Sequence, residues 1–434
     1  MRADPARQPY RQIATVHKLP RGRDTPPMPT PDGRIRVGII GSGAIAQIIH
    51  LPVLRQLRHL FEVTALCDLS ADTMAFVGET FGVPRHAHFT DYHDLCASDL
   101  VDAVLVCPLG THVPQAIEAL RHGKHVLVEK PLSSRIDEAD AFVAASEEAR
   151  AKAGTVTLMA YMKRFDPGYQ YAQRIVRPLA DQGEIRFVEA HHIHSRNERY
   201  MDYFPVYRAT DIPASARDAA RAEHEANLLH ALGPTPDRQV VAAFGGMMGS
   251  SIHDVYALSG LLGRPVAISN AEVWDDGHCW RAMFEYPNGA RVNYAWIDIR
   301  DVRRFQQEFI AYGPDVRVHL TMAMPFISGD ASTVRVQRME PSPADPAPYG
   351  RHDGATHPGD AKPGVVTSDG EGWPAAGTAH VESFVTAGYD NQFKREWQHF
   401  HACITRGTEP LVGAREARDD TAFLIEWARV SRGV

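Results

Sequence analysis

The sequence predicts an α/β protein: an N-terminal doubly wound parallel sheet, followed by an α/β domain with a large, mostly antiparallel open sheet. Short apolar strands alternate with helical stretches from Ile35 to about residue 131, a pattern typical of parallel sheets with right-handed crossovers. The turn GSGAIA, from Gly41, follows the first strand directly and precedes a helix. Beyond residue 184, strands are joined by short or irregular pieces, which favours an antiparallel sheet.

The composition indicates a globular protein with a small-molecule ligand. The 434 residues are 44% hydrophobic and 23% charged, enough for two domains with separate cores. A net charge of -7 argues against nucleic acid or an anionic membrane as partner. Five cysteines without paired spacing predict neither a disulfide framework nor a zinc site. Because no apolar run approaches the roughly 18 residues of a membrane span and no secretory signal is present, we expect a cytoplasmic protein without a membrane partner.

The chain divides into a tail and two domains. Residues 1–33 are rich in Arg and Pro without an apolar period, and are predicted to be a disordered tail. A first domain is expected over 34–155 and a second over 156–434. The second domain is predicted to contain inserts near 195–240 and 329–379, and C-terminal helices at 391–406 and 414–431.

The two inserts have different character. The first carries a helical stretch, ARDAARAEHEANLLHALG, and is interpreted as a lid or a subunit contact. The second is rich in Pro, Gly and Asp, shows no recognisable strand or helix, and is expected to be partly disordered.

The glycine turn predicts a Rossmann dinucleotide site. Gly41 makes the tight turn, Gly43 lets phosphates approach the backbone, and Ala46 allows close helix packing. Asp68 ends the second strand 25 residues after Gly43, near the spacing of about 20 at which an acid meets the adenosine ribose hydroxyls. A carboxylate there favours NAD over NADP, because a 2′-phosphate would meet a like charge. The predicted contacts in this turn are Gly41, Ser42, Gly43, Ala44, Ile45 and Ala46.

The tripeptide Glu129, Lys130 and Pro131 stands at the carboxyl end of a predicted parallel strand, where ligands bind in such sheets. With the preceding VCPLGTHVPQAIEALRHGKHVLV, and with AYMKRFDPGY, GGMMGSSIHDVY and FKREWQHFHACITRGTEPLVGAREA, it carries a resemblance to a known family. The sequence resembles the Gfo/Idh/MocA family, the glucose-fructose oxidoreductase and inositol dehydrogenase relatives. The resemblance extends from about Ile35 to the C-terminus, interrupted by the two inserts.

The resemblance implies roles for several residues. Lys130 would stand between nicotinamide and substrate as the acid or base, with a pKa lowered by burial beside a cationic ring. Glu129 would lie near the nicotinamide ribose. Pro131 is hypothesised to follow a cis peptide. Further cofactor contacts implied by the resemblance are Pro108, Leu109 and His112.

His253 is the second implied catalytic residue. Its helix is predicted to start at Ser250 or Ser251 as N-cap, which would place His253 in the first turn and favour a neutral imidazole. In the family's sugar and cyclitol dehydrogenases a catalytic aspartate precedes this histidine by one helical turn, and here that position is Gly249. Asp254 cannot simply replace it, because adjacent helix residues point about 100° apart. Two interpretations stay open: Lys130 and His253 still carry the acid-base chemistry, with a group from an insert supplying the missing charge, or the activity has changed or been lost.

Basic residues of the second domain are candidates for substrate binding. Lys163 matches a substrate-contacting position of cyclitol dehydrogenases in the family, and His192 and His194 share one face of a strand. The histidine pair has three open interpretations: metal ligands, hydrogen bonds to substrate, or a solvent-facing pair. We expect no metal, and assign Lys163, His192, His194 and His253 to the substrate.

The leading hypothesis is an NAD-dependent oxidoreductase acting on a secondary alcohol, or its ketone, of a sugar, cyclitol or related polyol. Two alternatives remain open: an NAD-dependent glycoside-cleaving enzyme of the same family, and a catalytically silent NAD-sensing regulatory protein. The resemblance also implies a homodimer or homotetramer formed through the C-terminal sheet.

Overall fold

The computed structural model describes residues 33–195, 197–298, 304–327, 329–341 and 378–434. The predicted tail, except Gly33, and most of the second predicted insert lie outside these residues. The chain forms two compact units. Counting only the described residues, the first unit comprises residues 33–162, Phe204–Pro234 and Phe393–Ile425, and the second lies within Lys163–Tyr203, Thr235–Gln392 and Glu426–Val434.

The first unit takes in more of the chain than the prediction assigned to it. The predicted boundary at 155/156 placed 204–234 and 393–425 in the second domain, and the structure differs. The physical reason is burial: Trp397, from the C-terminal segment, is fully buried and packs edge-on against Phe61 of the parallel sheet, with ring centroids 5.1 Å apart.

A six-stranded sheet, parallel throughout, forms the centre of the first unit, in the order β3-β2-β1-β4-β5-β6. Its strands are β1 (Ile35–Ile40), β2 (Phe61–Cys67), β3 (His88–Phe89), β4 (Ala103–Val106), β5 (His125–Val128) and β6 (Thr157–Met159). Strands β1, β4 and β5 are almost entirely apolar and buried, as parallel strands covered on both faces must be. This order reverses direction at β1, which creates a crevice at the carboxyl ends of β1 and β4.

Helices connect and cover these strands. They are α1 (Leu51–Gln56), α2 (Ala71–Phe81), α3 (Tyr92–Ala97), α4 (Val113–Arg121) and α5 (Ile136–Ala153). A π-helical turn, Ala46–His50, leads from the glycine turn into α1. Ser70 and Asp91 cap α2 and α3 through their side chains.

The second unit contains a nine-stranded sheet in the order β14-β13-β12-β11-β7-β10-β9-β8-β15. Its strands are β7 (Phe187–Ile193), β8 (Ala267–Trp274), β9 (Cys279–Glu285), β10 (Arg291–Ile297), β11 (Gln306–Tyr312), β12 (Val316–Thr321), β13 (Thr333–Pro341), β14 (Thr378–Thr386) and β15 (Arg432–Gly433). Only the β7–β10 and β8–β15 pairings are parallel among the described residues. The predicted fold class is therefore confirmed.

The remaining helices are α6 (Pro167–Asp181), α7 (Glu198–Met201), α8 (Ala214–Leu232), α9 (Arg238–Gly246), α10 (Ile252–Leu262), α11 (Gln392–Arg406) and α12 (Ala414–Val430). Helix α8 is the helical stretch of the first insert, and α11 and α12 are the two C-terminal helices. In the described residues no helix combines the length and the apolar character needed to cross a membrane.

The second predicted insert begins with a strand that the sequence analysis did not identify. Strand β13 pairs with β12 on one side and with β14 on the other. In TVRVQRME, the alternate residues Val334 and Val336 are buried, the period-two signal of a strand with one covered face. The segment 342–377 between β13 and β14 lies outside the described residues.

Candidate active site

The glycine turn has the geometry that a pyrophosphate requires. Gly41 has φ +87°, and a Cβ there would lie 2.5 Å from the backbone nitrogen of Pro108, so both conformation and space demand glycine. A Cβ on Gly43 would meet no atom within 4 Å among the described residues, so this side of the turn is open. Ser42 Oγ is buried without a hydrogen-bond partner among those residues. This unpartnered hydroxyl, next to an open glycine, is free to donate a hydrogen bond to a phosphate oxygen.

Asp68 lies beside this turn, as predicted. Its Oδ2 accepts a 2.7 Å hydrogen bond from the Ser42 backbone N–H, and its Oδ1 accepts one of 2.9 Å from Ser70 N–H. The carboxylate is thus fixed at the end of β2, next to the turn. The residues present fit a dinucleotide: Gly43 is the open position that a pyrophosphate would need, and Asp68 is the carboxylate that would accept from ribose hydroxyls.

At the end of β5, Glu129 is held by a buried hydrogen-bond chain. The indole Nε1–H of Trp397 donates to His50 Nδ1 at 3.1 Å, and His50 Nε2 lies 3.0 Å from Glu129 Oε1. An indole N–H can only donate, so His50 Nδ1 accepts and Nε2 carries the hydrogen given to Glu129. Burial opposes ionisation of Glu129, but the bond from His50 and the charge of Lys130 prevail and lower its pKa.

The peptide bond between Lys130 and Pro131 is cis, which confirms the hypothesis made from the sequence. Burial lowers the pKa of Lys130, although the charge of Glu129 opposes the shift. The backbone N–H of Lys130 donates to Glu129 Oε2 at 3.0 Å. A carboxylate in a fixed position therefore lies next to a lysine in the chain. At neutral pH this lysine has a larger neutral fraction than an exposed lysine has.

The other implied cofactor residues differ in their environments. His112 is buried, and its Nδ1 lies 2.7 Å from the carbonyl oxygen of Pro131, to which it donates. Burial lowers the pKa of His112, which favours the neutral ring. Pro108 is half-buried and Leu109 is fully exposed. Leu109 thus has the exposure of a side chain available to a ligand.

In the second unit, His253 is not in the first turn of a free helix. Helix α9 runs through a π-helical turn, Met247–Ser251, directly into α10. Ser251 stands at the N-cap position of α10, as predicted, but it has helical dihedral angles and its side chain caps no N–H group. The helix therefore has no free N-terminus here, and the helix-dipole argument for His253 is wrong. The physical reason is tertiary: Ser250 Oγ accepts from Trp296 Nε1 at 2.9 Å, and Ser251 Oγ accepts from Trp280 Nε1 at 3.0 Å.

His253 instead has a tyrosine partner. The Tyr256 hydroxyl lies 2.7 Å from His253 Nδ1 and accepts a 3.3 Å hydrogen bond from the backbone N–H of Lys163. At Gly249, inside the π-helical turn, a Cβ would meet no atom within 4 Å among the described residues. A side chain at Gly249 is therefore not excluded by crowding.

Lys163 is almost completely buried, at 2% exposure. Its Nζ has no hydrogen-bond partner in the described part of the chain and lies 5.4 Å from the centroid of the Phe305 ring. Burial lowers the pKa of Lys163 to about 8, against the charges of Asp254 and Asp166. A buried ammonium without a hydrogen-bond acceptor is costly, which fits a position that a polar ligand completes.

His192 forms a dyad with Asp254. His192 Nδ1 lies 3.0 Å from Asp254 Oδ2, and Asp254 also accepts hydrogen bonds from Tyr294 Oη at 2.7 Å and from Gln307 Nε2 at 2.5 Å. His192 Nε2 is buried and has no hydrogen-bond partner among the described residues. The His194 ring lies 6.0 Å from the His192 ring, so the two histidines share one region as predicted.

Several of these residues were missed by sequence reasoning. The sequence analysis assigned no role to His50, Trp397, Tyr294 or Gln307, because their role follows only from contacts with residues distant in the chain. Asp254 does not take the position of the missing aspartate, but it supplies a carboxylate to this cluster through His192. Among the described residues no group of three or more His, Cys, Asp or Glu side chains is arranged to hold a metal ion.

The strand order of the first unit, the glycine turn at its crevice and the acid at the end of β2 define a protein of the Rossmann dinucleotide-binding class. A family model described as "Oxidoreductase family, NAD-binding Rossmann fold" (GFO_IDH_MocA) matches residues 35–156. Residues 35–156 thus match the Gfo/Idh/MocA oxidoreductase family, which confirms over this part of the chain the resemblance seen in the sequence.

Curated relatives agree with this assignment. An inositol 2-dehydrogenase of Saccharopolyspora erythraea is 33% identical over 192 residues, which cover 43% of this chain and 53% of that protein. An inositol 2-dehydrogenase of Paracoccus denitrificans is 32% identical over 175 residues, or 40% and 50% of the two chains. A 4-carboxy-2-hydroxymuconate-6-semialdehyde dehydrogenase of a Sphingobium species is 33% identical over 138 residues, or 32% and 41%. The chain thus spans about half the length of the curated relatives it matches.

Solved structures show the same fold over most of the chain. An oxidoreductase from Thermotoga maritima has a TM-score of 0.61 at 20% identity, covering 91% of this chain and 96% of that one. A 3-ketoreductase from Actinomadura kijaniata, solved with NADP, has a TM-score of 0.60 at 18% identity and covers 92% and 99%. At these identities the likeness concerns the fold alone.

Proposed function

We propose that this protein is an NAD-dependent oxidoreductase that transfers hydride between a secondary alcohol, or its ketone, of a sugar, cyclitol or related polyol and the nicotinamide. The observation that carries the proposal is Lys130: it stands at the carboxyl end of β5, at the edge that carries the glycine turn, and burial lowers its pKa. A general base acts best when its pKa lies near the working pH. The inositol dehydrogenases among the relatives support the substrate class.

NAD is the proposed cofactor, held by the glycine turn, Asp68 and the residues about Glu129. When bound, it supplies the hydride acceptor or donor. Both carboxylate oxygens of Asp68 accept hydrogen bonds from backbone N–H groups, so Asp68 presents a fixed negative charge to the ribose hydroxyls and would repel a phosphate on the 2′-oxygen. This supports NAD over NADP, although a ketoreductase of the same fold was solved with NADP.

Lys130 and Glu129 divide the work at the end of β5. In the oxidation direction, neutral Lys130 takes the proton of the substrate hydroxyl while hydride leaves the carbon that bears this hydroxyl. In the reduction direction, the Lys130 ammonium returns the proton to the oxygen. Glu129, oriented by His50, keeps a carboxylate beside this lysine and stabilises the ammonium that forms. His253 assists proton exchange, with its ring oriented by Tyr256.

The substrate hydroxyls are proposed to bind Lys163, His192, His194 and His253. Lys163 Nζ and His192 Nε2 are buried polar atoms without hydrogen-bond partners among the described residues. One donates and the other can accept, a combination suited to vicinal hydroxyls, each of which is both donor and acceptor. Asp254 holds His192 in one orientation.

The deciding experiment measures NADH absorbance with the purified protein, NAD+ and a panel of inositols, hexoses, sugar acids and glycosides. Lys130→Met should reduce turnover by at least about a thousandfold, the order expected for loss of a general base, while NAD+ still binds. Lys152→Met, an exposed lysine of α5, is the matched control and should retain full activity. Substrate-dependent NADH formation that survives Lys130→Met would refute the role of Lys130.

The same panel separates the alternatives. Glycoside cleavage without net NADH, detected by released sugar, would identify the glycoside-cleaving enzyme. Tight NAD+ binding with no reaction in either direction would favour the silent NAD-sensing protein, for which Gly249 in place of the family's aspartate is the supporting observation.

A homodimer or homotetramer through the large sheet is part of the proposal. Alternate residues of β9 and β10 are half-buried or exposed, so one face of this sheet is incompletely covered in a single chain. Sedimentation of the purified protein would measure the oligomeric state.

A further inference from the structure

The first insert contributes a segment to the cofactor-binding unit. Residues 204–213 lie in the first unit, whereas the residues on either side of Phe204–Pro234 lie in the second. The Gln47 side chain holds this segment at two points: its Oε1 accepts from the Tyr207 N–H at 2.8 Å, and its Nε2 donates to the Tyr207 carbonyl at 3.2 Å. Gln47 Nε2 also donates to the carbonyl of Ser42, so one side chain joins the segment to the glycine turn. The Tyr207 ring stacks on Phe76 of α2.

The same segment places a carboxylate at the start of α2. Asp211 Oδ1 accepts a 2.5 Å hydrogen bond from Ser70 Oγ, and Asp211 Oδ2 accepts one of 3.1 Å from the backbone N–H of Asp72. These bonds lower the pKa of Asp211, so it is ionised at neutral pH. Ser70 therefore binds two carboxylates: its N–H donates to Asp68 and its hydroxyl donates to Asp211.

The groups that Asp211 occupies are those that a 2′-phosphate would need. The adenosine ribose is expected at Asp68, and the adjacent hydroxyl and helix N-terminus form an arrangement that attracts anions. With Asp211 bound there, a phosphate on the 2′-oxygen would lose those donors and meet two carboxylates. The Asp72 side chain, in the first turn of α2, adds a third negative charge.

We propose that Asp211, from an insert that is not part of the parallel sheet, is a specificity-determining residue that excludes the 2′-phosphate and makes the site select NAD over NADP. This inference rests on the proposed dinucleotide site, and it assigns to the first insert a role in cofactor choice. Asp68 recognises the ribose hydroxyls, whereas Asp211 blocks the neighbouring anion position.

Calorimetric titration with NAD+ and NADP+ tests this in the full-length protein. Asp211→Asn keeps the shape and removes the charge, and should tighten NADP+ binding by about tenfold or more, while the Kd for NAD+ changes less than about threefold. Asp218→Asn, an exposed acid on α8 of the same insert, should change neither constant. Asp211→Glu keeps the charge and should continue to disfavour NADP+.

The outcomes separate this inference from the proposed function. Tight NAD+ binding with NADP+ affinity unchanged in Asp211→Asn would overturn the role of Asp211 and leave the NAD site intact. A wild-type protein that binds NADP+ at least as tightly as NAD+, or that binds neither dinucleotide, would overturn both the role of Asp211 and the proposed NAD site. If Arg208→Ala, a change in the same segment, abolished NADP+ binding instead, the segment would be a phosphate-recognition element and the inference would be wrong.

Discussion

Lys163 shows how a single buried charge ties stability to function. It is nearly inaccessible to solvent, and its ammonium has no hydrogen-bond acceptor among the described residues. Its pKa of about 8, against an ordinary value of 10.5, means that the folded protein binds this proton less tightly than the unfolded chain. Between these two pH values the unfolded state carries more protons, so the stability of the folded state rises with pH through that window.

Lys163→Met should therefore stabilise the protein at pH 7, by about 1 to 3 kcal/mol, because it removes a buried charge and keeps an apolar side chain of similar length. The gain should shrink as the pH approaches 10. The same change should raise KM for the substrate. Chemical denaturation at several pH values measures the first effect, with Lys152→Met as control. A loss of stability at pH 7 would show that Asp254 and its neighbours stabilise the ammonium more than burial penalises it.

At this scale, the sequence could predict the positions of the glycine turn, Asp68 and Lys130, because each closely follows a strand with a strong apolar pattern. It could not predict the pairing of His192 with Asp254 or of His50 with Trp397. Those partners are 62 and 347 residues apart, and only the folded chain brings them together.

Helix α11 carries a second buried ionisable side chain, Glu396, whose charge interacts with Glu129. Glu396 is fully buried, and neither carboxylate oxygen has a hydrogen-bond partner in the described residues. Burial raises its pKa well above the ordinary value, and the negative charge of Glu129 adds to this effect. Two carboxyl groups therefore share this region, and Glu396 keeps its proton to a higher pH than Glu129 does. Protonation of Glu396 avoids a second uncompensated negative charge beside the hydrogen-bond chain of His50.

Glu396→Gln should flatten the pH dependence of stability above pH 4.5. In the wild type the folded state holds a proton that the unfolded state releases above pH 4.5, so the unfolding free energy falls as the pH rises, by at most about 1.4 kcal/mol per pH unit until Glu396 ionises in the folded state. The glutamine variant lacks this titration, so its unfolding free energy relative to that of the wild type should be higher at pH 8 than at pH 5. Thermal unfolding across that range measures it, with Glu79→Gln, an exposed change on α2, as control. Parallel pH profiles of wild type and variant would contradict the assignment.

Elements were predicted well where their period is strong and poorly where tertiary contacts decide their ends. The alternation of strands and helices from Ile35 onward was sufficient for the parallel sheet. The start of α10 agrees with the predicted N-cap position at Ser251, but a free, capped N-terminus was wrongly expected there. Ser250 and Ser251, good N-cap residues by type, instead accept hydrogen bonds from two tryptophans of β9 and β10. A π-helical turn continues the helix at that point, and no local signal in GGMMGSSIHDVY indicates it.

For the whole molecule, the composition of the first unit predicts how fragments behave. Fragment 33–162 contains all six parallel strands but lacks α11, and with it the contacts of Trp397 to Phe61 and His50. Exposing Phe61 and the apolar surface about it should leave this fragment without a cooperative unfolding transition, and it should bind a hydrophobic dye.

Joining 33–162 to 393–425 through a flexible linker should restore cooperative unfolding. Differential scanning calorimetry and dye fluorescence of both fragments test this. A sharp transition for 33–162 alone would mean that the parallel sheet is stable without the C-terminal helices, as the predicted boundary at 155/156 implied.

The chain passes between its two units after Met162, Tyr203, Pro234, Gln392 and Ile425. Neither unit can therefore be transplanted by recombination at one breakpoint, since a single exchange would leave part of each core in the wrong protein. New cofactor or substrate preferences in such a chain would arise more readily by substitution within a segment, as at Asp211, than by exchange of whole domains. Because of this interleaved connectivity, the two units are expected to evolve together rather than as separately exchanged domains.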